Sequence, residues 1–126
     1  MTLAFPRRLA ILGGVVLPIV ETARRWHQLA DPRIWPFWLD DWVIGALLLY
    51  GAWRTRRDAV DGQPVLAAAW GFACAMGYTS FFSQLARIDL PDPSGVSPVT
   101  VVAIKGVMVA LAIAALVIVV KWKGRR

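Results

Sequence analysis

A lysine inside an apolar stretch is the residue of this sequence that most strongly suggests chemistry. Lys105 lies well within the run of valine, isoleucine and alanine that begins at Pro98. A charged side chain within a membrane-spanning helix costs about 2.5–3.5 kcal/mol on insertion scales unless a partner or water compensates it. Two interpretations follow. In the structural interpretation, the Lys105 ammonium snorkels to the membrane surface or forms an ion pair that holds helices together. In the functional interpretation, Lys105 binds an anionic headgroup or gates an ion path.

Three carboxylates are expected at the same membrane face as Lys105. Glu21 ends the first apolar run, and Asp40 and Asp41 stand at the start of the second. Because these are the only acids near its depth, we predict that the Lys105 ammonium lies within ion-pair reach of one of them. Asp41 is the first choice, since Gly45 clears space one turn further along the same helix face. The expected result is the floor of an outward-facing polar cavity.

Each of these acids also has a purely structural interpretation. Asp40 and Asp41 can cap the second helix, where carboxylates suit the positive end of the helix dipole, with Arg24 and Arg25 as ion-pair partners across the first loop. Glu21 shares a helix face with Pro18, whose missing N–H favours a kink. A kink beside a carboxylate occurs in transporter sites, but it is also tolerated in ordinary spanning helices.

The third apolar run adds uncharged polar groups at this face. With the ionisable residues they make up the binding or ion-path candidates: Glu21, Asp40, Asp41, Tyr78, Thr79, Ser83, Gln84 and Lys105. We predict no catalytic residue, since the sequence has no P-loop, no G-x-S-x-G and no paired histidines. A single cysteine, Cys74, and a single histidine, His27, leave no internal disulfide and no Cys/His metal site. No cofactor is expected.

Four apolar runs must position these groups. They predict helices near residues 6–26, 36–55, 64–87 and 97–121, and therefore an all-α, integral membrane four-helix bundle in one transmembrane domain, residues 1–126. Tryptophans and tyrosines at both ends of the second run are typical of membrane interfaces. The first run has the outline of a signal peptide, but glutamate at the candidate cleavage site favours a retained helix.

The basic residues predict the orientation of these helices. With four spans, one side receives nine of them: Arg7, Arg8, Arg54, Arg56, Arg57, Lys121, Lys123, Arg125 and Arg126. The other side receives four: Arg24, Arg25, Arg33 and Arg87. Because cytoplasmic loops are enriched in lysine and arginine, the first side is predicted to be cytoplasmic, with both termini inside. Glu21 and Lys105 then belong to the outer half of the membrane.

Composition supports a membrane environment. Hydrophobic residues make up 58% of the 126 residues and charged residues only 17%, whereas soluble proteins average about 45–50% and about 25%. A soluble domain of this size could not bury so much apolar surface. The net charge of +6 comes from short basic clusters between apolar runs, which argues against nucleic acid as a partner. We expect a multi-pass protein of a bacterial inner membrane whose partners are the lipid bilayer and another protein or further copies of itself.

Small residues in the last two helices suggest close packing. Gly71 and Gly77 lie in the third helix, and Gly106 and Ala110 lie in the fourth. Because small side chains let helix backbones approach, we predict that the third and fourth helices are antiparallel neighbours and that Gly106 and Ala110 face another helix.

Three functions are compatible with this pattern. A small scaffold or accessory subunit of a larger membrane assembly explains the packing faces and the lack of catalytic motifs. A small oligomeric transporter or channel would use the outer polar cluster as its entrance. A lipid- or quinone-modifying membrane enzyme is the third, although no nucleophile or cofactor motif supports it. We favour the subunit.

Overall fold

The computed structural model describes residues 2–92 and 94–124, so Met1, Pro93, Arg125 and Arg126 lie outside the description. The helices are α1 (Ala4–Arg24), α2 (Trp35–Arg57), α3 (Ala59–Ala86) and α4 (Pro98–Lys121), with two short 3₁₀ turns, Trp26–Gln28 and Pro32–Ile34, between α1 and α2. No strand occurs in the described ranges. The prediction of an all-helical chain with four helices is confirmed.

Two of the helices, α3 and α4, are long and apolar enough to cross a membrane. Among the described helices, α1 and α2 do not reach the same apolar character. Charged residues near both ends of α1, and Asp40 and Asp41 within α2, reduce their hydropathy.

The start of α3 differs from the prediction. It was expected near residue 64 with Pro64 in its first turn, but α3 begins at Ala59 and contains Pro64 within its length. The reason is Asp58, whose carboxylate accepts hydrogen bonds from the backbone N–H groups of Val60 (3.0 Å) and Asp61 (3.1 Å). An aspartate in this position stabilises a helix start by satisfying donors that have no partner within the helix. Asp58 is therefore the only residue between α2 and α3.

Helices that follow one another along the chain pack together, α1 with α2, α2 with α3 and α3 with α4, whereas α1 and α4 touch lightly. Each neighbouring pair is antiparallel, because residues later in one helix contact residues earlier in the next. The contacts that show this are Arg7 with Thr55 and Gly14 with Gly45 for α1 and α2, Gly51 with Leu66 and Thr55 with Gly62 for α2 and α3, and Gln63 with Val119 and Gly77 with Val109 for α3 and α4. One end of the molecule, the loop end, carries residues 25–34 and 87–97. The other, the terminal end, carries residues 2–8, Asp58 and residues 121–124.

The apolar core lies toward the terminal end. Its fully buried side chains include Leu48, Leu66 and Val119, which come from three different helices. Polar contacts add to this packing. Arg7 donates to the Thr55 hydroxyl (3.2 Å) and carbonyl (3.0 Å), which joins α1 to α2. The Gln63 amide donates to the Val119 carbonyl (2.7 Å), which joins α3 to the last turn of α4.

The helices α1 and α2 meet at two glycines. A Cβ atom added to Gly45 would lie 2.7 Å from the Gly14 carbonyl oxygen and 2.7 Å from Cγ of Pro18. Pro18 has no N–H, so the Gly14 carbonyl lacks its usual partner one turn later and faces α2 instead. Gly45 does clear space, as predicted, but α1 occupies that space.

The predicted small-residue contacts hold in part. Gly106 faces α3, because a Cβ there would lie 3.2 Å from the Phe81 ring. Ala110 is exposed, and a Cβ on Gly71 would meet nothing within 4 Å. The buried alanines of α4 are Ala112 and Ala115 instead. Each residue of an α-helix is rotated by about 100° from the one before it, so Ala110 lies about 200° from Ala112. Because Ala112 faces the core, Ala110 faces away from it.

Candidate functional site

Arg24 is the centre of a polar cluster at the loop end. It donates from Nη2 to Oδ1 of Asp92 at 2.6 Å and from Nη1 to Oε2 of Glu21 at 3.2 Å. Nη2 also lies 3.3 Å from Oε1 of Gln84, and Arg25 reaches the same Glu21 oxygen at 3.2 Å. One arginine thereby connects its own helix, α3 and the α3–α4 loop. We call Glu21, Arg24, Arg25, Gln84, Asp92 and Lys105 the loop-end cluster.

Asp92 ties the α3–α4 loop to this cluster. Its side chain has no exposed surface, and it also accepts hydrogen bonds from the backbone N–H and the hydroxyl of Ser94. The Arg24 guanidinium, helped by Ser94, holds the pKa of the Asp92 carboxyl well below its usual value, against the opposing effect of burial. The carboxylate is therefore charged at neutral pH and compensated by Arg24.

Lys105 joins the cluster through an amide instead of a carboxylate. Its Nζ lies 3.5 Å from Oε1 of Gln84, at the long limit of a hydrogen bond. Within residues 2–92 and 94–124 no acid lies within 4.0 Å of this ammonium, so the predicted ion pair with Glu21, Asp40 or Asp41 is wrong. For Glu21 the physical reason is competition, because two arginines occupy its carboxylate.

Asp40 and Asp41 do not cap a helix. The helix α2 begins at Trp35, so both carboxylates lie beyond its first turn, and neither accepts a backbone cap hydrogen bond. They are half-buried. Among the described residues, neither forms an ion pair within 4.0 Å. The expected ion pairs of Arg24 and Arg25 with these aspartates are replaced by pairs with Glu21 and Asp92.

Three other predicted site residues lie on an exposed face of α3. The side chain of Tyr78 is 61% exposed and packs on Phe82, with ring centroids 4.7 Å apart. Thr79 donates to the Ala75 carbonyl of its own helix, and Ser83 accepts from Arg87 at 3.0 Å. Of the four site residues predicted on α3, Gln84 is buried in the loop-end cluster, whereas Tyr78, Thr79 and Ser83 do not contact it.

Two residues at the centre of the cluster, Arg24 and Asp92, are not among the site residues that the sequence predicts. The sequence indicates Arg24 only as one of the basic residues that set the orientation and as a partner of Asp40 and Asp41. The signal for Asp92 was its position between two prolines and before Ser94, which is typical of an aspartate that folds a loop around its own carboxylate. Nothing in the sequence indicated that this carboxylate would be buried.

Indole donors extend the polar region toward α2. The Thr22 hydroxyl accepts hydrogen bonds from Nε1 of Trp38 (2.8 Å) and of Trp42 (3.3 Å), and it donates to the Pro18 carbonyl (2.7 Å). Tryptophans that carry such a partner are typical of membrane interfaces, where one edge of the ring is apolar and the other is wet.

The cluster satisfies its own polar groups. Among the described residues, every buried side-chain nitrogen or oxygen atom has a hydrogen-bond partner. The cations at its centre face carboxylates of the same chain, so the arrangement can hold two helices and a loop together without a ligand. Comparison with protein-family models, with curated proteins and with solved structures gave no match.

The contact between Lys105 and Gln84 leads to a testable prediction. In double-mutant cycles on the stability in detergent, Lys105→Met and Asp41→Asn should be additive within about 0.5 kcal/mol, as is usual for groups without a direct contact. Lys105→Met combined with Gln84→Leu should show a coupling of about 0.5–1 kcal/mol, because these two residues share a hydrogen bond. A coupling above 1 kcal/mol with Asp41 would restore the original ion-pair hypothesis.

Proposed function

We propose that this chain is a small scaffold or accessory subunit of a larger assembly in a bacterial inner membrane. All four helices span the bilayer, with both termini and the α2–α3 turn in the cytoplasm. The basic residues near the terminal end support this orientation, since lysine and arginine accumulate on the cytoplasmic side. The finding that α3 and α4 have the length and hydropathy of spanning helices is compatible with it.

The self-contained loop-end cluster is the observation that carries the subunit proposal. Arg24 is held by Glu21, Gln84 and Asp92, all within the same chain. A site built to bind a substrate would keep charged groups free for the ligand, whereas here the charges of Glu21, Arg24 and Asp92 cross-link two helices and a loop. The cluster then serves to fix the relative positions of helices, which suits a subunit that presents a rigid helical surface to a partner.

Cysteine labelling tests the orientation. In a Cys74→Ser background, Asp89→Cys at the loop end and Arg56→Cys at the terminal end are compared, and both positions are exposed. A membrane-impermeant maleimide applied to intact cells should label Asp89→Cys, and it should label Arg56→Cys only after the cells are opened. The reverse pattern would refute the orientation, and labelling of both sites in intact cells would refute the four-span arrangement.

A native mass spectrum tests the subunit proposal. The tagged chain is released from the membranes of its own host in a mild non-ionic detergent. A second protein bound at fixed stoichiometry is expected. A homo-oligomer without a second protein would contradict the subunit proposal and favour the transporter described next, and a lone monomer would contradict both.

A transporter or channel is the second candidate, favoured by one specific observation. Asp41 is a half-buried carboxylate of α2 that forms no ion pair within 4.0 Å among the described residues. Such groups within spanning helices often mark ion or proton paths. Purified protein in liposomes would then conduct ions or protons, and Glu21→Gln or Asp41→Asn would abolish the flux. Flux that survives both substitutions would exclude the cluster as the path.

A further inference from the structure

The cations at the two ends of the molecule are compensated differently. At the loop end, three of the four arginines, Arg24, Arg25 and Arg33, each form an ion pair within 4.0 Å, and the fourth, Arg87, donates to Ser83. At the terminal end, no such pair is found within the described residues for any of six cations: Arg8, Arg54, Arg56, Arg57, Lys121 and Lys123. Two acids lie at that end, Asp58 and Asp61, and Asp58 is engaged in capping α3. The terminal end therefore carries positive charge that its own acids leave unneutralised.

An apolar groove lies between α1 and α2 on the lipid-facing side. It has a volume of about 330 Å³ and is lined by Gly14, Val15, Pro18, Ile19, Trp42, Ala46 and Leu49. Seven residues make about two helical turns, so Arg8 shares a helix face with Val15, and Arg56 shares a face with Leu49. The groove accordingly leads along both helices to exposed arginines at the terminal end.

Aromatic contacts hold part of this basic end in place. The Arg57 guanidinium lies over the Trp53 ring, 5.3 Å from its centroid, and Trp53 stacks on Tyr50 at 6.0 Å between centroids. A guanidinium held against an aromatic face keeps its edge free for hydrogen bonds to an anion, and its fork geometry suits phosphate oxygens.

We propose that this surface binds an anionic phospholipid of the adjacent leaflet. The phosphate lies between Arg8 on α1 and the pair Arg56 and Arg57 on α2, and one acyl chain lies in the groove. Along α2 the rise from Arg56 is about 10 Å to Leu49 at the near end of the groove and about 21 Å to Trp42 at its far end. Half of the hydrocarbon core is about 15 Å, so an acyl chain of this leaflet reaches the near half of the groove, as far as Ala46. The uncompensated positive charge selects an anionic headgroup over a zwitterionic one. The inference rests on the proposed insertion of α1 and α2 in the membrane.

Native mass spectrometry of the purified chain tests the headgroup site. Non-ionic micelles are doped with either phosphatidylglycerol or phosphatidylcholine, and bound lipid is counted. We expect phosphatidylglycerol to bind with about 30-fold higher affinity or more, since two or three interfacial cations contribute about 1 kcal/mol each. Arg56→Gln with Arg57→Gln should remove that preference. The matched control, Arg33→Gln with Arg87→Gln, removes two arginines from the loop end and should keep it.

A second pair of variants tests the groove independently of charge. Ala46→Phe fills the groove from an exposed position, and Ala110→Phe places the same side chain on an exposed position of α4. Ala46→Phe should reduce retention of phosphatidylglycerol, and Ala110→Phe should not. The lipid site would be overturned if the wild-type chain retained phosphatidylglycerol and phosphatidylcholine equally. It would also be overturned if each variant and its control lost phosphatidylglycerol to the same extent. Because the isolated chain is measured, loss of the lipid site is distinguishable from the absence of a protein partner.

Discussion

Replacing Gly62 with alanine is expected to destabilise the protein by about 3 kcal/mol or more, at the upper end of overpacking costs. A Cβ atom at Gly62 would lie 2.5 Å from the Arg54 carbonyl carbon and 2.6 Å from Cα of Thr55, and it would collide with the Thr55 backbone nitrogen. All three atoms belong to the backbone of α2, so no side-chain rotation relieves the contact. With Asp58 as the only linking residue, α2 and α3 cannot separate locally to make room.

Gly71 provides the control on the same helix. Nothing lies within 4 Å of a Cβ at this position, so Gly71→Ala adds no clash. Alanine is more favourable than glycine within a helix by about 0.8–1.0 kcal/mol, so this variant should be as stable as the wild type or more stable. Thermal unfolding in detergent measures both. A Gly62→Ala variant that melts at or above the temperature of Gly71→Ala would contradict the close contact between α2 and α3.

The second large effect is expected at Arg24. Replacing it with methionine leaves the Asp92 carboxylate without surface exposure and without its compensating cation. Breaking a buried ion pair from one side typically costs about 3–5 kcal/mol. Arg25→Met is the neighbouring control, because within residues 2–92 and 94–124 Arg25 pairs with Glu21 alone and is more exposed than Arg24. That variant should cost no more than about 1 kcal/mol.

A double variant separates the ion pair from other contacts of Arg24. Arg24→Met with Asp92→Asn removes both charges, so it should be more stable than Arg24→Met alone. Unfolding midpoints in detergent provide the comparison. If the two substitutions are additive, Arg24 stabilises the fold through Glu21 and Gln84, and Asp92 contributes nothing through its charge.

Acidic pH should weaken the ion pair between Arg24 and Asp92. Arg24 holds the pKa of Asp92 below its usual value, which is about 3.9 in an unfolded chain. A carboxyl group with a lower pKa in the folded state adds stability above the unfolded pKa, and this contribution is lost as the pH falls toward the folded pKa. The stability difference between wild type and Asp92→Asn should therefore be constant near neutral pH and shrink below about pH 4. A difference that grows on acidification would contradict the assigned charge state.

Hydrophobic pattern alone was enough to predict the helices. Four apolar runs indicated four helices, and three of these helices begin and end within a few residues of their predicted limits. The grouping of Glu21, Gln84 and Lys105 at one end was also predictable, because residue order and antiparallel packing bring those positions to the same level. These properties depend on spacing along the chain, and spacing is read directly from the sequence.

Which side chains pair with one another in the loop-end cluster could be decided only from the tertiary structure. Four antiparallel helices bring Lys105 near several acids, but which group it touches depends on helix rotation and on competing arginines. Arg24 and Arg25 reach Glu21, and Lys105 is left with Gln84. The burial of Asp92 has the same origin, since its loop folds back onto α1, a contact between residues far apart in sequence.

Glycines show the same division between sequence and structure. Close packing was predicted at Gly71 and Gly106, and Gly106 does face another helix, whereas Gly71 meets nothing. The tightest backbone contacts lie at Gly14, Gly45 and Gly62, for which no packing was predicted. A glycine has no side chain whose polarity indicates a core or a surface position, so its role depends entirely on the neighbouring helix. The sequence by itself determined that these helices form and which residues share an end. Only the tertiary structure decided which surfaces touch, because contact depends on the rotation and separation of helices that the spacing of residues does not specify.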